Sequence, residues 1–373
     1  MNRELGKLNV AIVCDWLTSI GGAERVVFAL HQMFPTAPIY TSQYNPKAIN
    51  WSSNADVRMS GFLQRLPVVL RKFLPAFRAW YFSHLDLSSY DLVISSSGAE
   101  AKSVRTGPLT IHVCYCHAPT HYYWMRYESY IKNPGFQKFD WLAKFGLRLL
   151  VKPMRRWDKK VAQRPDYMIA NSSFTRSEIK KYYGRDSVII HPPIDIDRFS
   201  PKVEKKRFGF LVVGRQTPYK RIDLAVLACT QLNLPLTVVG DGPENHALHN
   251  LAGPTVKFVS GADDERVAEH MQSAEALIFP TDREDFGITP VEALAAGTPV
   301  IAYGGGGVLD YLVDGKTGSL FQDLSVASLA NCLETFNPGL FKVQDLKDTA
   351  AKFSAQKFEK RMSDFVNNVI SKT

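Results

Sequence analysis

The sequence predicts an α/β protein built as two parallel-sheet halves. Three observations lead there: apolar runs of strand length, helical patterns between them, and a length of 373 residues, which suits two domains better than one. The runs lack polar alternation, so they read as strands buried on both faces, as in parallel sheets covered by helices.

In the first half the runs are 8–14, 92–95 and 167–170. In the second they are 208–213, 236–239, 256–259, 276–279 and 299–302. Between the halves, His191-Pro192-Pro193-Ile194-Asp195 breaks regular structure. The division expected is a first domain over 1–195, a hinge over 196–205 and a second domain over 206–354. The last stretch, about 355–373, reads as an amphipathic helix carrying Phe358, Met362, Phe365, Val366 and Ile370, expected to return to the first domain.

Apolar residues make up 45% and charged residues 22%, which excludes a wholly disordered chain. No run approaches the ~18–20 apolar residues of a membrane-spanning helix. The opening residues lack the apolar core of a secretion signal. Five cysteines without a CxxC pair argue against a disulfide framework or zinc ribbon and suit a reducing cytosol.

The net charge of +9 is unevenly spread. Residues 1–200 hold 27 Lys and Arg against 15 Asp and Glu, so the first half carries the whole excess. Residues 57–85 place Arg58, Arg65, Arg71, Lys72 and Arg78 among Phe62, Leu63, Phe77, Trp80 and Phe82. Residues 138–164 place Lys144, Arg148, Lys152, Arg155, Arg156, Lys159, Lys160 and Arg164 among Phe139, Trp141, Leu142, Phe145, Leu149 and Leu150. Basic faces backed by bulky apolar residues suit an anionic membrane surface. Ordinary amphipathic helices packed on their own core are the alternative. No nucleic-acid motif accompanies the charge, so nucleic acid is not the expected partner.

Ligands of such sheets bind beyond the carboxyl ends of the strands. The sharpest motif there is Glu284-Asp285-Phe286-Gly287-Ile288-Thr289-Pro290-Val291-Glu292. It predicts a helix with Thr289 as N-cap, Pro290 at the first helical position and Glu292 closing a capping box. Capping accounts for Glu292 but not for Glu284. Free amides at this helix start suit a diphosphate, and carboxylates on either side suit sugar hydroxyls. Arg215 and Lys220, on the loop after the strand ending at Val213, are two cations that suit a departing diphosphate, or simply solvated loop charges. Gly240-Asp241-Gly242-Pro243 is a tight glycine turn.

In the first half, Cys14-Asp15 ends a strand and Ile20-Gly21-Gly22-Ala23-Glu24 opens a helix. This resembles a phosphate-cradling loop without being GxGxxG or a P-loop, which argues against a nicotinamide dehydrogenase or a P-loop NTPase. Cys114-Tyr115-Cys116-His117-Ala118-Pro119-Thr120-His121 crowds polar and aromatic residues at a strand end, with a spacing that fits no common zinc site. Asp195-Ile196-Asp197 resembles a metal-binding DxD but reads better as a turn after two prolines.

Taken together these residues resemble the retaining glycosyltransferases of family 4, which have the GT-B fold of two Rossmann-like domains facing a cleft. The E-x7-E element at Glu284 and Glu292, Gly214-Arg215 with Lys220, the Gly304–Gly307 run, and Asp314-Gly315-Lys316-Thr317-Gly318 stand in the family's order. Gly21-Gly22-Ala23-Glu24, Tyr115-Cys116-His117-Ala118-Pro119 and Ala170-Asn171-Ser172 resemble its mannosyltransferase branch. The resemblance implies that Arg215 and Lys220 take the diphosphate, Glu292 the ribose and Glu284 the donor-sugar hydroxyls, with His117 against the sugar. It implies further donor contacts at Gly21, Gly22, Gly214, Gly242, Phe286, Gly287 and Ile288. The family usually has Glu where this chain has Asp310.

The function so implied is transfer of mannose from GDP-mannose to a lipid-linked or glycan acceptor in cell-envelope synthesis. No cofactor or metal is expected beyond the substrate, and the enzyme is expected in the cytoplasm, peripheral at the inner face of the plasma membrane. A UDP-sugar donor, a nucleotide-sugar epimerase and a catalytically silent scaffold are the alternatives.

Overall fold

The computed structural model describes residues 8–65, 75–132, 140–199 and 206–372. Thirteen strands are found among these residues, in two sheets. The first sheet comprises β1 (Val10–Cys14), β2 (Ile39–Thr41), β3 (Val57–Met59), β4 (Leu92–Ser97), β5 (Ile111–Cys116), β6 (Tyr167–Ala170) and β7 (Val188–Ile189), in the spatial order β3-β2-β1-β4-β5-β6-β7. The second comprises β8 (Phe210–Val213), β9 (Leu236–Val239), β10 (Val256–Val259), β11 (Ala276–Phe279), β12 (Val300–Tyr303) and β13 (Gly318–Phe321), in the order β10-β9-β8-β11-β12-β13. Every strand pairing in both sheets is parallel.

The apolar runs are explained by burial on two sides. In β1, Val10, Ile12 and Cys14 enter one core cluster while Ala11 and Val13 enter another. Successive side chains point to opposite faces, so a strand covered by helices on both has no polar position to show. The eight apolar runs are all strands, and β5 is the strand at whose end Cys114–His121 was placed. β2, β3, β7 and β13 were not expected: the first three have three, three and two residues, too short for a pattern, and β13 mixes Gly318 and Ser319 with its apolar residues.

In both sheets the strand order reverses beside the first strand, between β1 and β4 and between β8 and β11. Crossover connections leave that point in opposite directions, and a crevice opens beyond the carboxyl ends.

The chain separates into two compact units, one running to Pro192 and resuming at Phe358, the other spanning Pro193–Lys357. This division lies ahead of the expected hinge. Ile194 and Phe199 are buried in the second unit's core, and Ile194 is bonded to Phe353, so residues 196–199 form a helical turn of that unit rather than a linker; residues 200–205 lie outside the described residues. The terminal helix Ala355–Ile370 buries Phe358, Met362 and Val366 against Ile12, Ile94 and Tyr115 of the first unit. Each such side chain contributes about 1.5–3 kcal/mol on burial.

The two basic-apolar stretches differ from expectation in part. Arg78 is buried and paired with Glu100, and Leu63 and Phe82 are core residues, so they present nothing outward. Phe62, Phe77 and Trp80 are exposed, whereas residues 66–74, with Arg71 and Lys72, lie outside the described residues. On the helix Asp140–Val161, Trp141, Leu142, Phe145, Leu149 and Leu150 are 45–68% exposed. They do not pack on a core, as the alternative required; Phe139 lies outside the described residues.

Candidate functional site

In the second unit, the carboxyl ends of β8, β9, β11 and β12 carry the residues singled out from the sequence. Gly240 has a φ of +129°, and a Cβ there would collide with the Gly214 carbonyl; glycine at both loops lets the turns after β8 and β9 lie side by side. Gly242 crosses Gln216 as closely, and the buried Gln216 amide ties both loops by donating to Gly240 O at 2.9 Å.

Across the reversal point, the loop after β8 meets the loop after β11. Lys220 Nζ lies 2.6 Å from Glu284 Oε2, and both side chains are 18% exposed. The ammonium also sits over the rings of Phe279 and Tyr219, at 5.2 and 5.3 Å. Arg215 stands on the same loop as Lys220, exposed, with no carboxylate partner among the described residues.

Glu284 is held by its backbone. Gly307 N donates to Glu284 O at 2.7 Å, and Gly306 bridges to Glu284. A Cβ on Gly306 would stand 2.6 Å from Glu284 O. The glycine run after β12 therefore lets the chain press against 283–286 and set the direction of Glu284.

The expected capping box is not formed. The helix is Ile288–Ala295, its N-cap is Gly287 at φ +83°, and no side chain caps it. The Tyr311 hydroxyl reaches the carbonyls of Phe286 and Gly287 at 2.9 and 2.7 Å and turns the chain into the helix two residues early. Pro290 then falls among the first-turn positions whose N–H groups have no intrahelical partner, so it costs no bond. Glu292 sits a full turn in, 5% exposed. Capping thus no longer accounts for it. Phe286 is buried against Tyr311 and Phe353, and Asp310 ends the turn Gly307–Asp310.

In the first unit, Asp15 follows β1. Its carboxylate accepts from Gly98 N (2.7 Å), Ala99 N (3.0 Å), Ala101 N (2.7 Å) and Ser97 Oγ (3.3 Å). The turn after β4 is thereby wrapped around one carboxylate. Burial raises the proton affinity of Asp15, and the amide bonds oppose that. His117 follows β5 and is held at three points: its N donates to Ser97 O, its carbonyl accepts from Asn171 Nδ2 at 2.9 Å, and its Nε2 lies 2.8 Å from Ser96 Oγ. The Ala170-Asn171-Ser172 motif thus acquires a purpose: Asn171 positions His117, and Ser172 caps the following helix.

Gly21 is the N-cap of the helix Gly22–Met33, and the Glu24 carboxylate folds back over it, 2.9 Å from where a Cβ would stand. Burial, with the Asp15 charge adding to it, pushes the Glu24 carboxyl up to about 7, against the pull of the Gly21 and Glu24 amides. A carboxylate therefore occupies the helix start that Gly21 and Gly22 were expected to offer a phosphate.

A cavity of about 220 Å³ opens at this reversal point, lined by Cys14, Asp15, Trp16, Ala23, Glu24, Val27, Ser96, Gly98, His117, His121, Tyr122 and Tyr130. Trp16, Ser96 and Tyr130 escaped the sequence reading. The polar run Ser95-Ser96-Ser97-Gly98 at the end of an otherwise apolar strand was the available signal. Among the described residues no group of three or more His, Cys, Asp or Glu is placed to hold a metal. The first turn after Asp195 is closed by Arg198, consistent with a turn at Asp195-Ile196-Asp197.

Two family models match: the Glycosyltransferase Family 4 model over residues 20–198 and the glycosyl transferases group 1 model over 193–337. Among relatives, D-inositol 3-phosphate glycosyltransferase 2 of Catenulispora acidiphila is 28% identical over 53% of this chain and 54% of its own. The GDP-mannose-dependent alpha-(1-6)-phosphatidylinositol monomannoside mannosyltransferase of Mycolicibacterium smegmatis is 26% identical over 47% of this chain and 54% of its own. The matches thus span about half the length of these relatives. Anabaena HepE in complex with UDP and glucose superposes with a TM-score of 0.70 at 18% identity, covering 96% of this chain and 99% of that one. Sucrose-phosphate synthase of Thermosynechococcus elongatus gives 0.71 at 18%, covering 98% and 99%. These likenesses establish the two-domain GT-B fold. The two family models meet at the boundary of the compact units and together run from residue 20 to residue 337: the chain belongs to the family 4 glycosyltransferases.

Proposed function

We propose that the protein is a retaining glycosyltransferase that moves mannose from GDP-mannose to a lipid-linked or glycan acceptor. The observation that carries this reading is the Lys220–Glu284 pair at the reversal point of the second sheet, with Arg215 on the same loop. A diphosphate reaching Lys220 displaces Glu284 from the ammonium and frees its carboxylate for sugar hydroxyls. Arg215 adds a second cation, the uncapped helix at Ile288 adds amide dipoles, and Glu292 takes the ribose.

In the reaction the bond from the anomeric carbon to the diphosphate breaks. The acceptor oxygen bonds that carbon on the same face, and its proton passes to a diphosphate oxygen. Negative charge grows on the leaving group, so Lys220, Arg215 and the amides stabilise it most as it departs. His117, held by Ser96 and Asn171, lies against the sugar. The reading calls for no metal. The mannose donor is supported by the Mycolicibacterium relative's name and by the branch motifs at Gly21–Glu24 and Tyr115–Pro119.

The helix Asp140–Val161, with exposed Trp141, Phe145 and Leu149 beside Lys144, Arg148 and Lys152, supports peripheral binding to an anionic membrane face. Among the described residues no helix is long and apolar enough to cross a membrane.

A thermal-shift panel tests the donor. GDP and GDP-mannose should give the largest stabilisation without added metal, according to their occupancy. A preference for UDP or a UDP sugar would reverse the donor, and no shift with any nucleotide would refute the reading.

A further inference from the structure

The loops that carry Lys220 and Glu284 share a backbone peculiarity. Among the described residues, three other than glycine have a left-handed φ: Arg221 at +49°, Asn233 at +53° and Arg283 at +44°. Asparagine tolerates that region, whereas arginine gains nothing from it and glycine is the default residue there. Two of the three adjoin the pair directly: Arg221 follows Lys220, and Arg283 precedes Glu284. Sparsely populated backbone persists only where its surroundings impose it, and it collects at functional sites.

The surroundings here are specific. Asp282 N donates to Tyr219 O at 3.1 Å, pinning the two loops together immediately before Lys220 and Arg283. On one loop Lys220 stands between that pin and Arg221, whose left-handed turn opens the helix Ile222–Gln231. On the other, Arg283 stands between the pin and Glu284. Gly306 confines it: a Cβ on Gly306 would stand 2.8 Å from Arg283 Cα. Each guanidinium is engaged by a neighbouring carboxylate. Arg221 Nε and Nη2 each donate to Asp223 at 3.1 Å, and Arg283 Nε donates to Asp282 at 3.1 Å. What the two arginines have in common at the site is therefore their backbone.

We propose that Arg221 and Arg283 are positioning residues of the donor site: their left-handed backbone, not their charge, sets Lys220 Nζ and Glu284 Oε2 within 2.6 Å of each other and aims both at one ligand. This rests on the transferase reading above. Lys220 then meets the diphosphate and Glu284 the sugar. Arg221 accordingly governs affinity for any nucleoside diphosphate, and Arg283 the affinity that the sugar adds.

The test replaces each arginine by glycine, which keeps the conformation and removes the charge, and by valine, which removes both because a β-branched residue does not adopt it. Titration calorimetry on the full chain reads GDP and GDP-mannose. Arg221→Val should weaken both about tenfold, as the loss of a charge-assisted bond requires. Arg283→Val should weaken GDP-mannose by a similar factor and leave GDP close to the wild-type value. Arg221→Gly and Arg283→Gly should bind like the wild type. Asn233→Val, at the far end of the helix Ile222–Gln231, should lower the melting temperature and leave both affinities unchanged, which separates aim from general destabilisation. Glycine variants as weak as the valine ones, valine variants that bind like the wild type, or an equal loss in Asn233→Val would overturn the proposal.

A ligand-free readout keeps its failure apart from that of the transferase reading. The coupling of Lys220 to Glu284, from a double-mutant cycle of urea midpoints, should survive in the glycine backgrounds and vanish in the valine ones. A coupling indifferent to valine would overturn the proposal. If the wild type bound neither nucleotide, the transferase reading would fall, and this coupling would still decide whether the arginines position the pair.

Discussion

Two lysine–carboxylate pairs, one in each unit, show how depth decides what a charge pair is for. Lys102 and Asp158 lie 2.8 Å apart and are 1% and 0% exposed. Asp158 also accepts from Thr120 Oγ1 at 3.0 Å, Trp124 Nε1 at 2.7 Å and the Tyr183 hydroxyl at 2.8 Å, and Lys102 also donates to the Ala99 carbonyl. Burial lowers the proton affinity of Lys102, but the charge of Asp158 more than offsets it and holds the pKa well above the ordinary value. The network joins the turn after β4, the segment after His117 and the helices Asp140–Val161 and Ser173–Tyr183. Lys220 and Glu284 are as close, yet 18% exposed and placed beyond the strand ends. The first pair is sealed and holds the fold; the second is reachable, so a ligand can exchange for either partner.

The largest expected effect breaks the sealed pair. Lys102→Ala leaves Asp158 buried and unpaired, and urea unfolding should show a loss of about 3–5 kcal/mol. Lys220→Ala should instead lower kcat/KM for the nucleotide sugar about 10²–10³-fold, the effect of removing one donor to developing charge. Its melting temperature should move by only a few degrees, because partly exposed pairs contribute little stability. A large stability loss at Lys220 with none at Lys102 would invert the comparison.

The reversal-point cavity of the first unit sharpens it further. Glu24 faces Cys14, Asp15, His117 and His121 across that cavity, and its carboxyl is pushed up to about 7 from 4.5. Between those values the folded chain binds more protons than the unfolded one, so stability falls as pH rises from 4.5 to 7 and the cost is complete above 7. Glu24→Gln has no such loss. Its stability relative to wild type should rise by up to about 3 kcal/mol between pH 4 and pH 8, read from unfolding curves at the two values. A constant difference across that range would show that Glu24 ionises as freely as in the unfolded chain.

The smallest effect concerns the helix Asp140–Val161. Arg148→Ala should weaken co-sedimentation with anionic vesicles by about 1 kcal/mol, lessened by salt. Equal binding to neutral vesicles would remove electrostatics from the account.

Much of this was legible because strand-end loops carry their chemistry locally. Glu284, Lys220 and His117 each follow a continuous apolar run, which dictates a buried strand and places the next polar residue at its carboxyl end. The helix start at Ile288 was misread because local capping chemistry favoured Thr289, whereas Tyr311, distant in sequence, supplies the bond that wins. Arg78 was counted as an outward cation for the same reason: its partner Glu100 lies 22 residues on. The Asn171–His117 bond and the Lys102–Asp158 pair span 54 and 56 positions and leave no periodic trace.

Titration calorimetry of GDP-mannose into the full chain, with a chelator present, reaches the centre of the account. Saturable binding is expected in the wild type, weakened about tenfold or more in Lys220→Ala, as loss of a charge-assisted bond requires. Unchanged affinity in that variant, or no heat from GDP-mannose in the wild type, would contradict it.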